Sequence, residues 1–343
     1  MSINNILYIM LVLVFTIITF GAYVRLSDAG LGCPDWPGCY GILLGVPETA
    51  SEITEAEQLF KGSQVDIGKA WKEMIHRYLA GIFGLVILAF VYIIYKYDYK
   101  NLKKISMFTG LLVLLQAFLG LLTVSEQLQP LIVSLHLVGG LSIFSLIWLI
   151  FIKHKSYIFS NHVFLNINLD FKYFKYARNI VYVSLLFLVI QIILGGWTST
   201  NYAALACVDF PKCNTQWWPK MDFTSGFSVD FTDQNYEFGV LDSYSRVAIH
   251  FTHRVWALVT FCVLVFSLIY VNRLIKNDFI KYLSITIFLL LIAQIALGIM
   301  NVVYSLPIEI AVAHTGNASL LLISLITLAY VLNYCYSRSL IKH

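Results

Sequence analysis

The sequence predicts an all-α integral membrane protein with eight transmembrane helices, arranged as two tandem four-helix bundles. We expect a pseudo-twofold axis along the membrane normal to relate the bundles. Two observations predict this fold. Of the 343 residues, 59% are hydrophobic and only 12% are charged, whereas about a quarter of the residues in a soluble protein are charged. The two halves of the chain also repeat the same short motifs at a nearly constant spacing.

Eight segments have the run of about 20 apolar residues that a transmembrane helix needs. They are residues 5–25, 73–95, 105–125, 131–152, 178–200, 247–273, 280–304 and 309–334. The first segment contains no small-residue cleavage site, so we expect a helix there and not a signal peptide. Long polar stretches follow the first and the fifth segments, at 27–72 and 201–245.

The basic residues predict the orientation of the chain. Fourteen of the 23 lysines and arginines lie after the even-numbered segments, together with only three of the 19 acids. Because short cytoplasmic loops are rich in cations, we expect both termini in the cytoplasm and the cysteine-containing loops on the outer face of a cell inner or plasma membrane. The bilayer is then the main environment of the chain. The small net charge of +4 suggests no nucleic-acid partner.

The repeat relates the two halves residue by residue. Cys33 and Cys39 match Cys207 and Cys213 at an offset of 174, and the other matched positions follow at 177 or 178: His76-Arg77 with His253-Arg254, Gln116-x3-Gly120 with Gln294-x3-Gly298, and His136 with His314. Each copy contains four segments, an even number, so the copies run parallel. We therefore expect an N-terminal half at 1–152, a cytoplasmic linker at 153–177 and a C-terminal half at 178–343.

Four of the repeated residues are histidines inside the predicted spans: His76, His136, His253 and His314. Counted from the outer ends of their helices, all four rings lie roughly 7–11 Å below one surface. Two rings at equal depth on neighbouring helices can hold one heme iron from opposite faces. The sequence therefore predicts two heme sites, one in each half. Helix–helix hydrogen bonding is the alternative, and zinc is less favoured because its sites need four converging ligands.

The halves differ one helical turn before the first histidine of each pair. Glu73 precedes His76 by three residues, whereas His250 precedes His253. A carboxylate in partly apolar surroundings can act as a general acid or base, so we assign the reaction to the first half and a permanent cofactor to the second. Alternatively, Glu73 is an ordinary acid at a helix N-terminus, stabilised by the macrodipole.

Three arginines near the outer surface are candidates for binding heme propionates. Arg77 and Arg254 follow the predicted ligands, and Arg25 ends the first span. A guanidinium pairs well with a carboxylate. Simple snorkelling to the interface is the alternative, above all for Arg25.

Two cysteine pairs, Cys33–Cys39 and Cys207–Cys213, lie in the predicted outer loops. Disulfides persist outside the cytoplasm. A structural bridge is the simplest interpretation and is favoured for the second pair. A redox or heme-handling role stays open for the first pair, because disulfides that close short loops can be labile.

These motifs resemble those of the heme A synthases of bacteria and mitochondria. The resemblance covers the whole chain and is carried by VRLSDAGLGCPDWPGC (Val24–Cys39), EMIHR (Glu73–Arg77), GGWTSTNYAALACVDFPKC (Gly195–Cys213), HFTHR (His250–Arg254), SLHLVGG and AVAHTGN. It implies oxidation of a methyl group of heme O to the formyl group of heme A through hydroxylated intermediates, with water as the oxygen source.

The resemblance also implies roles for individual residues. His253 and His314 would bind a heme b cofactor, His76 and His136 would line the substrate site with Arg77, and Glu73 would transfer protons or stabilise a cationic intermediate. A heme O synthase (protoheme farnesyltransferase) would supply the substrate. The electron acceptor is unidentified, with a quinone as one candidate, and the oligomeric state is open, a homo-oligomer included.

Two rival functions are also open. A diheme electron-transfer protein of the cytochrome b type needs the four ligands but neither Glu73 nor the outer cysteines. A heme or small-molecule transporter would be expected to have helices broken by Gly or Pro at mid-membrane, whereas the prolines here lie towards the outer ends of the spans.

Overall fold

The computed structural model describes residues 3–155, 171–231 and 234–341, and the regular structure in these ranges is helical apart from two isolated β-bridges. Eight helices are long and apolar enough to cross a membrane, which confirms the predicted fold class. They are α1 (Ile3–Leu26), α2 (Ile67–Lys96), α3 (Lys103–Ser125), α4 (Pro130–His154), α5 (Phe171–Thr200), α6 (Ser243–Leu274), α7 (Asp278–Val303) and α8 (Ile308–Ile341). The protein is therefore a multi-pass membrane protein.

Several helices begin earlier than the apolar segments predict. α2 begins at Ile67 because Asp66 caps it by accepting from the Lys69 amide at 2.9 Å. α6 begins at Ser243 because Asp242 accepts from the amides of Tyr244 and Ser245. Hydropathy detects only the lipid-embedded part of a helix, whereas these caps start the backbone pattern one turn or more above it.

Helices extend into both ends of the predicted linker at 153–177, which stays a prediction. α4 continues to His154, and α5 already begins at Phe171. Most of the remaining residues of this linker, 156–170, lie outside the described part of the chain.

Helix contacts close two four-membered rings. In the first ring, α1 packs on α2, α2 on α3, α3 on α4, and α4 on α1; α5 to α8 pack in the same cyclic order. α2 and α4 therefore occupy opposite corners of the first ring, and α6 and α8 occupy opposite corners of the second. This pattern is compatible with the predicted tandem bundles, and the pseudo-twofold axis stays a prediction.

The two rings meet along a seam formed mainly by α1 and α4 on one side and α5 and α8 on the other. Trp148 of α4 donates from Nε1 to Thr327 Oγ1 of α8 at 2.7 Å across this seam. In an apolar stretch of 18 residues from each helix, 61% of the residues of α8 are buried, whereas 17% are buried in α3 and in α7. α8 is thus a central helix, and α3 and α7 present most of their surface to lipid.

The long loops after α1 and α5 contain further short helices. Ala50–Leu59 begins with a capping box in which Thr49 and Glu52 exchange hydrogen bonds. Phe223–Gly226 is capped by Asp222. These capping hydrogen bonds stabilise short helices within the long polar stretches that follow α1 and α5.

Candidate functional site

In the first ring, the two histidines point towards glycines of neighbouring helices. A Cβ on Gly21 of α1 would lie 2.8 Å from Cε1 of His76, and a Cβ on Gly120 of α3 would lie 3.4 Å from Cε1 of His136. The absence of a side chain at each glycine therefore makes room for the ring. Gln116 of α3 donates to the backbone carbonyl of His136 at 2.6 Å and fixes α4 beside α3.

The second ring repeats this arrangement. A Cβ on Gly195 would lie 3.1 Å from Cε1 of His253, and one on Gly298 would lie 3.2 Å from Cε1 of His314. The side-chain amide of Gln294 lies 3.1 Å from His314 Nε2. The same glycine–histidine packing thus occurs at four positions, twice in each half.

The histidines of each half form a diagonal pair. His76 and His136 stand on α2 and α4, which occupy opposite corners of the first ring. His253 and His314 stand on α6 and α8, which occupy opposite corners of the second ring. Because the two histidines of a pair stand on diagonally opposite helices, no helix lies between their imidazoles in the interior of the helical ring.

The state of the imidazole nitrogens tests whether heme iron fits these pairs. Nδ1 of His76, His136 and His314 is buried and has no hydrogen-bond partner in the described part of the chain. A buried polar atom without a partner costs free energy, so three of the four rings have a nitrogen that a bound group could supply with a partner. Both nitrogens of the fourth, His253, lie 3.2 and 3.4 Å from the Gln191 amide. Two opposed imidazoles suit heme iron, and the described residues contain no group of three or more His, Cys, Asp or Glu side chains arranged to hold a metal ion.

Glu73 connects α2 to the first cysteine loop. The residue is buried, with 5% of its surface exposed. Oε2 accepts from the backbone amide of Cys33 at 2.9 Å, and Oε1 pairs with Nη2 of Arg77 at 2.5 Å. The acid therefore lies one helical turn from His76 and directly under the disulfide loop.

His250 occupies the equivalent place in the second half. Its Nδ1 accepts from the backbone amide of Cys207 at 3.2 Å. The two halves therefore share one hydrogen bond, from a cysteine amide to a side chain of the following helix, but use a carboxylate in one half and an imidazole in the other. The sequence predicted this exchange of residue type and did not predict the common hydrogen bond.

Both predicted disulfides are present. Cys33 is bonded to Cys39 and Cys207 to Cys213. Each bridged loop is closed further by an aspartate: Asp35 accepts from the amides of Tyr40 and Gly41, and Asp209 accepts from those of Asn214 and Thr215. Burial raises the pKa of the Tyr40 phenol, and its hydroxyl donates to the Gln64 carbonyl at 3.2 Å.

Arg77 and Arg254 bind the backbone of these loops. Arg77 donates to the carbonyls of Asp35, Pro37 and Gly38. Arg254 donates to three carbonyls in the equivalent positions of the second loop, those of residues 209, 211 and 212. The structure thus gives each guanidinium a loop-holding contact, and propionate binding by either stays a prediction.

Arg25 lies at the seam between the halves. Its Nη2 donates to the Ser199 carbonyl at 2.8 Å, and its guanidinium stacks 4.0 Å from the centre of the Tyr202 ring. Nε is buried without a partner among the described residues. The side chain is therefore mostly engaged with the second half, and a propionate contact through Nε stays a prediction.

Sequence reasoning missed one polar neighbour of the second pair. The Gln191 amide lies 3.2 Å from His253 Nδ1. The residue at the matching position of the first half, at an offset of 174, is Ile17. The repeat therefore gave no signal for Gln191, although a lone glutamine inside an apolar span indicates a buried polar contact.

The family of the chain follows from comparison with known proteins. The sequence model of the family COX15-CtaA, described as cytochrome oxidase assembly protein, matches residues 4–326. The chain belongs to this family. Because the matched range includes both histidine pairs and both disulfides, the assignment to COX15-CtaA covers both halves.

Curated relatives match nearly the whole chain. A protein of Shewanella oneidensis named heme A synthase is 42% identical over 336 residues, which are 97% of each chain. Proteins of the same name from Wolbachia pipientis and Rickettsia conorii are 28% and 26% identical, over 90% and 94% of this chain and 86% and 95% of their own lengths. The predicted resemblance is therefore confirmed.

A methyl group at Gly21 should disturb the first histidine pair alone. In Gly21→Ala, the new Cβ displaces the His76 ring, so we expect reduced heme binding in the first half and unchanged binding in the second. The measurement is the heme content of the purified protein by absorption spectroscopy after extraction. Gly81→Ala is the matched control, because no heavy atom lies within 4 Å of a Cβ at this glycine of α2, the helix that carries His76. Equal heme content in the two variants would show that the glycine does not shape the site.

Proposed function

We propose that this chain is a heme A synthase, which oxidises a methyl group of heme O to the formyl group of heme A. The proposal is supported by family membership and by a relative of that name at 42% identity over 97% of the chain. The observation that carries the chemistry is the pair of diagonal histidine sites, of which only the first has a buried carboxylate one turn from a histidine. The overall change converts a methyl group and one water into a formyl group, four protons and four electrons.

In this proposal, the first half binds the substrate and the second half binds a heme b cofactor. His76 and His136 would hold the iron of heme O, and His253 and His314 would hold that of heme b. Bound heme b would supply one-electron redox chemistry. Support for this division comes from Glu73, because an ionisable acid is useful at a reacting centre, whereas His250 in the second half suits a permanent site.

Glu73 would act on the protons and the charge of the oxidation. Electron removal from the ring methyl develops positive charge beside the macrocycle, and a carboxylate in a low-dielectric site offsets such charge strongly. The same carboxylate could take a proton from the attacking water. Its hydrogen bonds with the Cys33 amide and Arg77 hold it in one position, which favours a prearranged role.

Electrons would pass from the first half to heme b across the seam and then to an acceptor, for which a quinone is one candidate. A heme O synthase would deliver the substrate in the membrane. In keeping with the charge pattern, we place both termini in the cytoplasm and the disulfide loops on the outer side of an inner or plasma membrane.

The first test removes the predicted iron ligands one at a time. We expect His76→Ala and His136→Ala to lose heme from one site, and His253→Ala and His314→Ala to lose heme b from the other. Heme stoichiometry and the mass of the extracted pigment measure both losses. His154→Ala, at the opposite end of α4, is the control and should retain full heme. Loss of both hemes in each variant would contradict two independent sites.

A second test addresses Glu73. The chain is expressed together with a heme O synthase, and the extracted hemes are separated and identified by mass. We expect Glu73→Gln to retain heme b and to lower heme A formation by about two orders of magnitude or more, since general acid–base catalysis contributes about 10²–10⁴-fold.

Glu55→Gln, which removes an exposed carboxylate from the short helix Ala50–Leu59, is the matched control and should convert heme O normally. Full conversion by Glu73→Gln would refute the catalytic assignment. The absence of heme A from cells making the unaltered chain would instead favour the diheme electron-transfer alternative.

A further inference from the structure

Each disulfide loop carries three exposed large apolar residues at matching positions. We call them the apolar tips: Trp36, Leu43 and Leu44 in the first loop, and Phe210, Trp217 and Trp218 in the second, related by the offset of 174. Leu43 and Leu44 are 66% and 81% exposed, and Trp217 and Trp218 are 68% and 72% exposed. The side chains differ between the halves in type and size, but all six are apolar and exposed.

The tips lie beside the membrane helices, not above them. In the first loop, the amide of Gly45, directly after Leu44, donates to the Tyr78 hydroxyl at 2.8 Å, and Tyr78 lies beyond His76 along α2. In the second loop, the Trp218 ring packs edge-on at 5.3 Å against Phe251, which lies two residues before His253 on α6. Both loops therefore fold back against their helices and contact side chains two residues away from His76 and His253.

The polar groups of the loops are satisfied by protein atoms. Arg77 and Arg254 each donate to three loop carbonyls, and Asp35 and Asp209 each accept from two loop amides. Irregular backbone is tolerated at membrane depth only where its hydrogen-bonding groups find such partners. This hydrogen bonding removes the main cost of placing the loops against lipid.

We propose that the two apolar tips insert into the interfacial layer of the lipid bilayer on the side of the disulfide loops. The tips extend the lipid-facing surfaces of α2 and α6, on which Leu85 and Leu258 are 69% and 65% exposed. Tryptophan favours the membrane interface because its ring is apolar and its N–H is polar. Lys212, whose Nζ lies 5.8 Å from the centre of the Trp217 ring, can reach lipid phosphates by snorkelling.

The insertion gives each disulfide loop a second attachment. Arg77 and Arg254 hold the loops to the helices, and the tips hold them to the bilayer. The loop that covers Glu73 would then move with the lipid interface. Insertion of the tips depends on their exposure, their apolar character and the fold of the loops, and it does not require the proposed enzymatic activity.

Spin labels at the tips test the proposal. Leu44→Cys and Trp218→Cys are made separately in a Cys262→Ser, Cys335→Ala background, labelled with a nitroxide and reconstituted in phosphatidylcholine–phosphatidylglycerol vesicles. Power-saturation spectroscopy then compares collision with oxygen, which concentrates in lipid, and with a water-soluble nickel chelate. Leu85→Cys on lipid-facing α2 and Glu55→Cys in the short helix Ala50–Leu59 serve as the lipid and water controls.

We expect the oxygen-to-nickel ratio at both tips to be several-fold above that of Glu55→Cys and below that of Leu85→Cys. A ratio equal to that of Glu55→Cys would overturn the proposal. So would a label shielded from both reagents, because that result indicates a protein partner or a second copy of the chain on the tips.

The native tryptophans provide an independent measurement should a labelled variant fail to fold. Phosphatidylcholine brominated near the carbonyl end of its acyl chains should quench part of the tryptophan fluorescence of the unaltered protein. Trp217→Ser/Trp218→Ser should lose much of that quenched part, whereas Trp148→Phe, at the seam, should keep it. An unchanged quenched fraction in the double variant would also overturn the proposal.

Discussion

The need of a buried imidazole for a partner organises the interior of this protein. Each of the four histidines lies in an apolar span, packs against a glycine of the adjacent helix and faces a second histidine across its helical ring. Because lipid offers no hydrogen bonds, such rings require protein contacts or a metal. The cyclic order of the helices, the glycines that leave space and the diagonal placement all serve this one requirement.

One scaffold thus carries two different environments. The first half places a carboxylate under its cysteine loop, and the second half places an imidazole at the same point. The exchange keeps the hydrogen bond from the loop amide and changes the charge that the site can hold. The second half adds Gln191 beside His253, where the first half has the apolar Ile17. In the proposed function, these few polar differences distinguish the reacting site from the redox site.

The sequence predicted the features that depend on composition and periodicity, and the structure added those that depend on contacts between helices. Hydropathy located all eight spans, and the offset of the cysteines and histidines identified the repeat. Hydropathy could not locate the start of α2 at Ile67, because that boundary depends on capping by Asp66. Nor could spacing show that Arg77 and Arg254 hold loop carbonyls, since a guanidinium suits a carbonyl as well as a propionate.

The central position of α8 has a consequence for how the protein is made. This helix packs against α1, α4, α5 and α7, yet it is synthesised after all of them. During translation, α1 and α4 must therefore wait in the bilayer with the faces that α8 will cover still in contact with lipid or with an insertion factor. The first half can close its own ring early, but the contacts of α1 and α4 with α8 across the seam form only after α8 leaves the ribosome.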